Sequence, residues 1–391
     1  MKAGRNPAFA FHATVTGISI GINALYLIPG RVGGTEIYLR SLLHGLAEID
    51  CLNRYFVFTN RATGSDLVPQ QENFVRLPQP VGGPWRPARL AWEQSGLVWA
   101  ARRSRLDVLF NAGFTAPLLA PCPMVTVFHD LQHKRHPVYF GKFELLFWRF
   151  FLWASAHRSR LLVAVSQSTA KDLLHYYDLP ESKIRVVEHG VDARFSAIRI
   201  QRQPTSLEPY ILCVSTLHAH KNLGRLLRAF AQFHRKKPEF RLVMAGMRGR
   251  SSQELEQLIV ELALRDSVRL TGWISREELY SLYERASAFV YPSSFEGFGM
   301  PVLEALAAGI PTACSAIEPL STLAGPAALQ FDPEDQDAMA EALLRLTSDE
   351  ELRLRLMAAG PVRAAAYDWH TTARRTLGVL QEAAACTARW Q

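Results

Sequence analysis

The sequence has no run of about 20 consecutive apolar residues, so nothing in it reads as a membrane-spanning helix. Lys2 and Arg5 precede a stretch broken by His12, Thr14, Thr16 and Gly17, and no secretory signal peptide is expected. Cysteine is scarce and odd in number: Cys51, Cys122, Cys213, Cys314 and Cys386 lie far apart, without the spacing of metal ligands. They read as small buried hydrophobes in a reducing compartment, and no metal site is expected. Internal repeats, low-complexity tracts and the GxGxxG dinucleotide fingerprint are all missing. No nucleic-acid recognition motif is present either, which makes nucleic acid the weakest candidate partner for a basic chain.

What is present is an ordinary soluble composition, 48% hydrophobic and 20% charged, over 391 residues. That length exceeds one comfortable core, and two domains of about 190 residues each are expected. The net charge of +8 is lopsided: residues 1–190 hold 21 basic against 13 acidic residues, whereas residues 191–391 hold 23 of each. Such a field attracts anionic partners such as lipid headgroups or diphosphates.

Along the chain, residues 1–17 read as an extension. Apolar runs predict strands at Ile18–Leu27, Tyr55–Thr59, Phe74–Leu77, Asp107–Asn111, Val125–Phe128, Leu161–Val165 and Ile184–Val187. Helical patterns alternate with several of them, as in βαβ units. A loss of pattern with Pro204 and Pro209 marks a boundary at about 190 to 205. Strands resume at Tyr210–Ser215, Leu242–Ala245, Val268–Leu270, Phe289–Tyr291 and Ala328–Phe331, with helices over Glu277–Ala286 and around Met339–Leu346. The predicted class is α/β, with two Rossmann-like domains over 1–190 and 191–391.

Four polar clusters follow apolar strands: Gly33-Gly34, His129-Asp130, Lys221 and Glu296-Gly297. Strand ends of two facing domains converge on the cleft between them, the usual place for a ligand. Thr35 is a plausible N-cap for the helix after Gly34, Ser166 for the helix containing Leu173, and Asn222 for the helix from Leu223. Lys221 beside a helix start is unfavourable for the dipole unless an anion is near. Tyr139–Trp153 interleaves aromatic and basic residues. A mostly buried helix, apolar nearly all round, is the favoured reading; an interfacial surface dipping into a membrane is the other.

The densest stretch is Phe289–Ala313, FVYPSSFEGFGMPVLEALAAGIPTA. A strand ends at Pro292, a loop carries Gly297 and Gly299, and Pro301 opens a short helix that Gly309 ends. Backbone N–H groups at such a helix start form an anion site. Glu296 lies on the loop, and Glu304 is placed in the first turn, where it complements the dipole. This pattern, Glu296 and Glu304 with seven residues between, closely resembles the signature of the retaining nucleotide-sugar glycosyltransferases of the GT-B fold, family 4 (group 1). The resemblance runs from about Ile20 to Trp369 and includes the Gly33-Gly34-Thr35-Glu36 and His129-Asp130 segments. It implies catalytic roles for Glu296, His129 and Lys221, the first two at the donor sugar and Lys221 at the diphosphate, and ribose binding by Glu304. Gly33, Gly34, His220, Gly297, Phe298 and Gly299 complete the implied donor site. It also implies retention and no metal or other cofactor. Similarity to mannosyltransferases of surface polysaccharides favours GDP-mannose as donor, with UDP-glucose next, and a lipid-linked or oligosaccharide acceptor.

Two departures stand out. Where many members carry Arg, Thr216 precedes Lys221 by five residues, which leaves Arg225 or His220 to supply a further cation. Glu318-Pro319-Leu320-Ser321-Thr322 replaces the usual loop after the central helix. A sugar-nucleotide epimerase and a non-catalytic sugar-nucleotide-binding subunit are the rival readings; intact Glu296, Glu304 and Lys221 argue against the second. The expected location is cytoplasmic, with peripheral contact to anionic membrane through the basic half.

Overall fold

The computed structural model describes residues 17–30, 33–82, 85–203 and 207–385. The expected extension lies outside the described residues except for Gly17, as does Cys386. Thirteen strands form two wholly parallel sheets among these residues. The first holds β1 (Ser19–Ala24), β2 (Arg54–Thr59), β3 (Phe74–Pro78), β4 (Val108–Asn111), β5 (Met124–Phe128), β6 (Leu161–Ala164) and β7 (Ile184–Val186). The second holds β8 (Glu208–Val214), β9 (Arg241–Ala245), β10 (Val268–Gly272), β11 (Ala286–Tyr291), β12 (Thr312–Ser315) and β13 (Leu329–Phe331).

The strand orders are β3-β2-β1-β4-β5-β6-β7 and β10-β9-β8-β11-β12-β13. Both turn back on themselves at one point, β1 beside β4 and β8 beside β11, where open α/β sheets leave a crevice for ligands. The central strands are buried on both faces, every residue of β5 and β11 included, which is why they read as unbroken apolar runs. The expected strands coincide with observed ones, the first ending three residues earlier than expected, at Ala24. β12 went unread because Thr312-Ala313-Cys314-Ser315 is short and weakly apolar, although it lies fully buried between β11 and β13.

The expected irregular boundary instead carries a helix, Ala193–Gln201, capped by Asp192, whose Oδ1 accepts the Arg194 N–H at 2.9 Å. Two buried residues, Phe195 and Ile198, are too few to give a readable period. Phe195 packs edge-on against Tyr280 and Tyr283 at 5.1 and 4.9 Å. Ser166 caps its helix as expected, accepting the Thr169 N–H at 3.0 Å. Thr35 does not: Gly33 occupies the cap of the Gly34–Ile49 helix, and the Thr35 carbonyl accepts the Tyr26 hydroxyl. Asn222 holds the cap position but gives its amide to the Pro292 and Pro333 carbonyls. Cys213 and Cys314 are buried, whereas Cys51 is exposed and Cys122 half-buried, so burial does not explain all the cysteines.

The favoured reading of Tyr139–Trp153 as a buried helix is corrected. The helix there, Lys142–Arg158, buries Leu152, Ala154, Ser155 and Ala156 and leaves Phe143, Leu146, Phe147, Phe150 and Trp153 exposed. It covers the sheet along one side and nothing covers its other side among the described residues.

The final helix, Trp369–Ala385, crosses back to the first sheet and packs on Gly34–Ile49. Leu39, Leu42 and Leu46 share an apolar cluster with Ala373, Val379 and Leu380. The crossing is tight at Gly190, where an added methyl would meet the Trp369 backbone N at 2.3 Å. Gly190→Ala is therefore expected to lower stability by about 1–3 kcal/mol, the usual cost of overpacking. A urea or thermal melt indistinguishable from the parent protein would show that the crossing yields freely.

Candidate active site

A cleft of about 1180 Å³ lies between the carboxyl ends of the two sheets. Its walls bring together Gly33, Gly34, His129, Lys221, Glu296, Gly297, Phe298, Gly299 and Glu304, residues drawn from four separate strand-end turns and, for Glu304, the helix after the last of them. His220 is not among them. Its Nδ1 lies 2.7 Å from Gln132 Nε2, so its imidazole spans the seam between the halves beside the cleft.

Lys221 and Glu296 stand on turns after β8 and β11, neighbours at the point where the strand order reverses. Lys221 Nζ donates to Glu296 Oε1 at 2.6 Å and to Tyr291 Oη at 3.1 Å, and both charged side chains are nearly buried, 13% and 10% exposed. The anion that a lysine at a helix start requires is thus supplied by the protein itself.

His129 directly follows β5 and sits against Tyr38 and Phe114, ring centroids 4.9 and 5.1 Å away. Burial pulls its pKa down to about 4, so the imidazole is neutral at pH 7. Its Nε2–H donates to the Ala112 carbonyl at 3.0 Å. Nδ1 is then left with its lone pair, able to accept a hydroxyl proton. The His129 carbonyl presses on Gly297, where a methyl would lie 1.7 Å from that oxygen. Glycine at 297 is what lets the loop after β11 reach the first half. Asp130 is half-buried near Glu296, and the loss of water around its carboxyl first, then that charge, raises its pKa.

Gly299 caps the Met300–Ala307 helix, and Leu320, from the departing Glu318–Thr322 loop, packs directly beneath it. Pro301 stands in the first turn as expected. Glu304 does not: it lies in the second turn, which corrects the expected dipole role. Instead it is buried and accepts the Tyr283 hydroxyl at 2.8 Å. Burial raises its pKa from the ordinary 4.5 to about 7, opposed by nearby Arg276.

Arg276, Asp192, Tyr283, Tyr291 and His189 are neighbours of the site that sequence reading passed over. Arg276 donates to Asp192 Oδ2 at 2.6 Å and to the Tyr280 hydroxyl at 3.1 Å, and lines the cleft near Glu304. In sequence it belongs to a charged, Ser-capped helix start and reads as solvated. Arg225, one of the two replacement cations considered, instead binds the Pro333 carbonyl and Glu334, away from the cleft. His189 is buried 5.7 Å from His129 and 4.7 Å from Phe298, ring to ring. Among the described residues no group of three or more His, Cys, Asp or Glu is placed to hold a metal ion.

Two facing Rossmann-like units with a cleft between their strand ends define the GT-B class of fold. Two family models tile the chain: "Glycosyltransferase Family 4" matches residues 32–195 and "Glycosyl transferases group 1" matches residues 196–363. The chain belongs to the family 4, group 1 glycosyltransferases. Among curated relatives, it is 28% identical to O-antigen chain mannosyltransferase B of Escherichia coli, over 72% of this chain and 75% of that one. It is 30% identical to O-antigen chain mannosyltransferase RfbU of Salmonella typhimurium, over 59% of this chain and 62% of that one. A sucrose-phosphate synthase from Thermosynechococcus elongatus shares the fold with a TM-score of 0.76 and 20% identity, over 93% of this chain and 98% of that one.

Glu304 gives a pH test of the site. Its folded pKa lies above its unfolded one, so the folded state keeps a proton that the unfolded chain releases. Stability from this group is full below about pH 4.5 and is lost as pH rises to about 7, on the order of 3 kcal/mol in all. Glu304→Gln should flatten stability over that window. Parallel pH–stability curves for parent and variant would disprove the buried, protonated carboxyl.

Proposed function

We propose that this glycosyltransferase moves mannose from GDP-mannose, with retention of anomeric configuration, onto a lipid-linked oligosaccharide at the cytoplasmic face of a membrane. The nearly buried Lys221–Glu296 pair on the cleft wall, 2.6 Å apart opposite His129, is the observation that carries this reading. Resemblance to O-antigen mannosyltransferases supports mannose. In this reading residues 191–391 hold the donor and residues 1–190 receive the acceptor.

Lys221 meets the diphosphate, joined by Arg276 and the N–H groups at the Met300–Ala307 helix start. No bound metal is assigned a part; these groups take up the charge that grows on the leaving phosphate. Groups fixed in place beforehand stabilise that charge without reorganising. As the bond from the anomeric carbon to the phosphate oxygen breaks, its electron pair leaves with GDP. The acceptor oxygen bonds to the same face of the sugar, and its proton passes to the departing phosphate. Glu296, released from Lys221 when phosphate arrives, accepts sugar hydroxyls, and neutral His129 accepts another through Nδ1. Glu304, once ionised, receives the ribose diol, which suits a carboxylate's two oxygens.

Calorimetry with GDP-mannose, UDP-glucose, GDP and UDP tests the donor, and NMR of the product tests the anomer. GDP-mannose should bind and turn over in preference; preferential turnover of UDP-glucose, or an inverted product, overturns that part of the reading. Lys221→Ala should weaken GDP itself by about 1.5–3 kcal/mol, the worth of a charge-assisted hydrogen bond. Unchanged GDP affinity with an altered sugar preference would put Lys221 at the other end of the donor. Glu296→Ala should cut turnover roughly 10²-fold while the protein still folds. Near-normal turnover would remove Glu296 from the reaction centre.

A further inference from the structure

We propose that the exposed side of the Lys142–Arg158 helix is a docking face for an anionic lipid bilayer. This deepens the membrane-side reading above and rests on it.

Phe143, Leu146, Phe147, Phe150 and Trp153 are exposed, Phe143 by 92% and Leu146 by 69%. At about 100° per residue their positions fall on one arc of roughly 120°, a single stripe on the helix. Exposed cations border both edges of the stripe, Lys142 and Arg149 on one side and Arg158 on the other. The helix has one carboxylate, Glu144, which points away from the stripe and is bound by Arg250 at 2.9 Å and Arg86 at 3.4 Å. An apolar stripe edged by cations, with no acid on it, is how a helix lies in a bilayer interface. Exposed apolar side chains in a continuous patch also need a partner of some kind.

A second copy of the chain fits less well. Two such faces brought together would set Lys142, Arg149 and Arg158 against their own equivalents. Anionic headgroups complement them, and acyl chains take the aromatic rings. The helix that carries the face also stands near the cleft, tied to it from the opposite side. Arg250, which holds Glu144, follows Met247 on the loop after β9, and Met247 lines the cleft. Arg250 also donates to the Tyr139 carbonyl at 2.5 Å, just before the helix. Docking here brings the seam between the halves down to the membrane surface, where a lipid-linked acceptor is presented.

The test is co-sedimentation of the full chain with vesicles of phosphatidylcholine alone or mixed with phosphatidylglycerol. The parent protein should sediment with mixed vesicles, less so as salt rises, and stay in the supernatant with phosphatidylcholine alone. The double variant Phe143→Glu, Phe150→Glu should bind mixed vesicles roughly tenfold more weakly. Calorimetric GDP binding should be unchanged in it, which reports on folding independently. The triple variant Lys142→Gln, Arg149→Gln, Arg158→Gln should lose the salt dependence while keeping the aromatic stripe. Equal recovery of the parent protein in both supernatants at low salt overturns the proposal. So does unaltered vesicle binding by the double variant, or a dimer of the parent that the double variant breaks without any vesicle binding. If the parent protein binds vesicles but not GDP, the docking face stands and the donor assignment falls.

Discussion

Lys221 and Glu296 make the cleft electrically possible. A lysine at the start of a helix meets the positive end of the dipole, and a carboxylate on a loop among small residues has no partner of its own. Each is tolerable because the other is 2.6 Å away. A nearly buried pair of this kind is weak as a source of stability, since desolvating two ions offsets much of their attraction. What the pair does instead is hold a cation and an anion ready, on the turns after adjacent strands, at the point where the strand order reverses. A diphosphate can replace the carboxylate at Lys221 without a charge being stranded, because hydroxyls can then occupy Glu296. The pair needs the two strands in register, and β8 and β11 supply it, with Ile211 opposite Ala288 and Leu212 opposite Phe289.

The other wall of the cleft is held by contact between backbones. Gly297 meets the His129 carbonyl with no room for a side chain, and Thr169 Oγ1 donates to the Gly297 carbonyl at 3.4 Å. The loop that carries Glu296 is therefore positioned by both sheets at once. Beneath it, one apolar cluster contains Tyr38 and Leu42 from the first half together with Phe298, Leu303 and Phe289 from the second. The polar seam contacts, Gln132 to His220 and Arg250 to Glu144, lie nearer the surface and cost little to separate. The apolar floor and the Trp369–Ala385 helix therefore join the halves more firmly than that polar edge does.

Most of the sheet framework was legible because parallel strands are buried on both faces and appear as unbroken apolar runs. β12 was not, because its neighbours do the burying while its own residues are small. The Ala193–Gln201 helix was missed because two buried residues make no period. The cleft residues that came from Gly-rich or strand-end motifs were readable: Lys221, Glu296, Gly297 and His129 do converge. Arg276 and Asp192 were not, since their meaning comes from facing each other across 84 positions of sequence. The aromatic helix went the wrong way for a related reason. An apolar stripe and an apolar helix look alike in composition, and only the position of the sheet decides which side is covered.

The two glutamates show how far environment, and not residue type, assigns roles. They are eight positions apart on one loop-and-helix unit. Glu296 faces a lysine across the turn after β8, in reach of whatever enters the cleft. Glu304 faces Tyr283 in an apolar surround that favours its protonated form up to about pH 7. A carboxyl that is neutral when the cleft is empty costs less to bury than a carboxylate would. It can then ionise when hydroxyls arrive to bind its oxygens, since hydrogen bonds to the charged form favour that form. Arg276, already bound to Asp192, lies close enough to assist that ionisation.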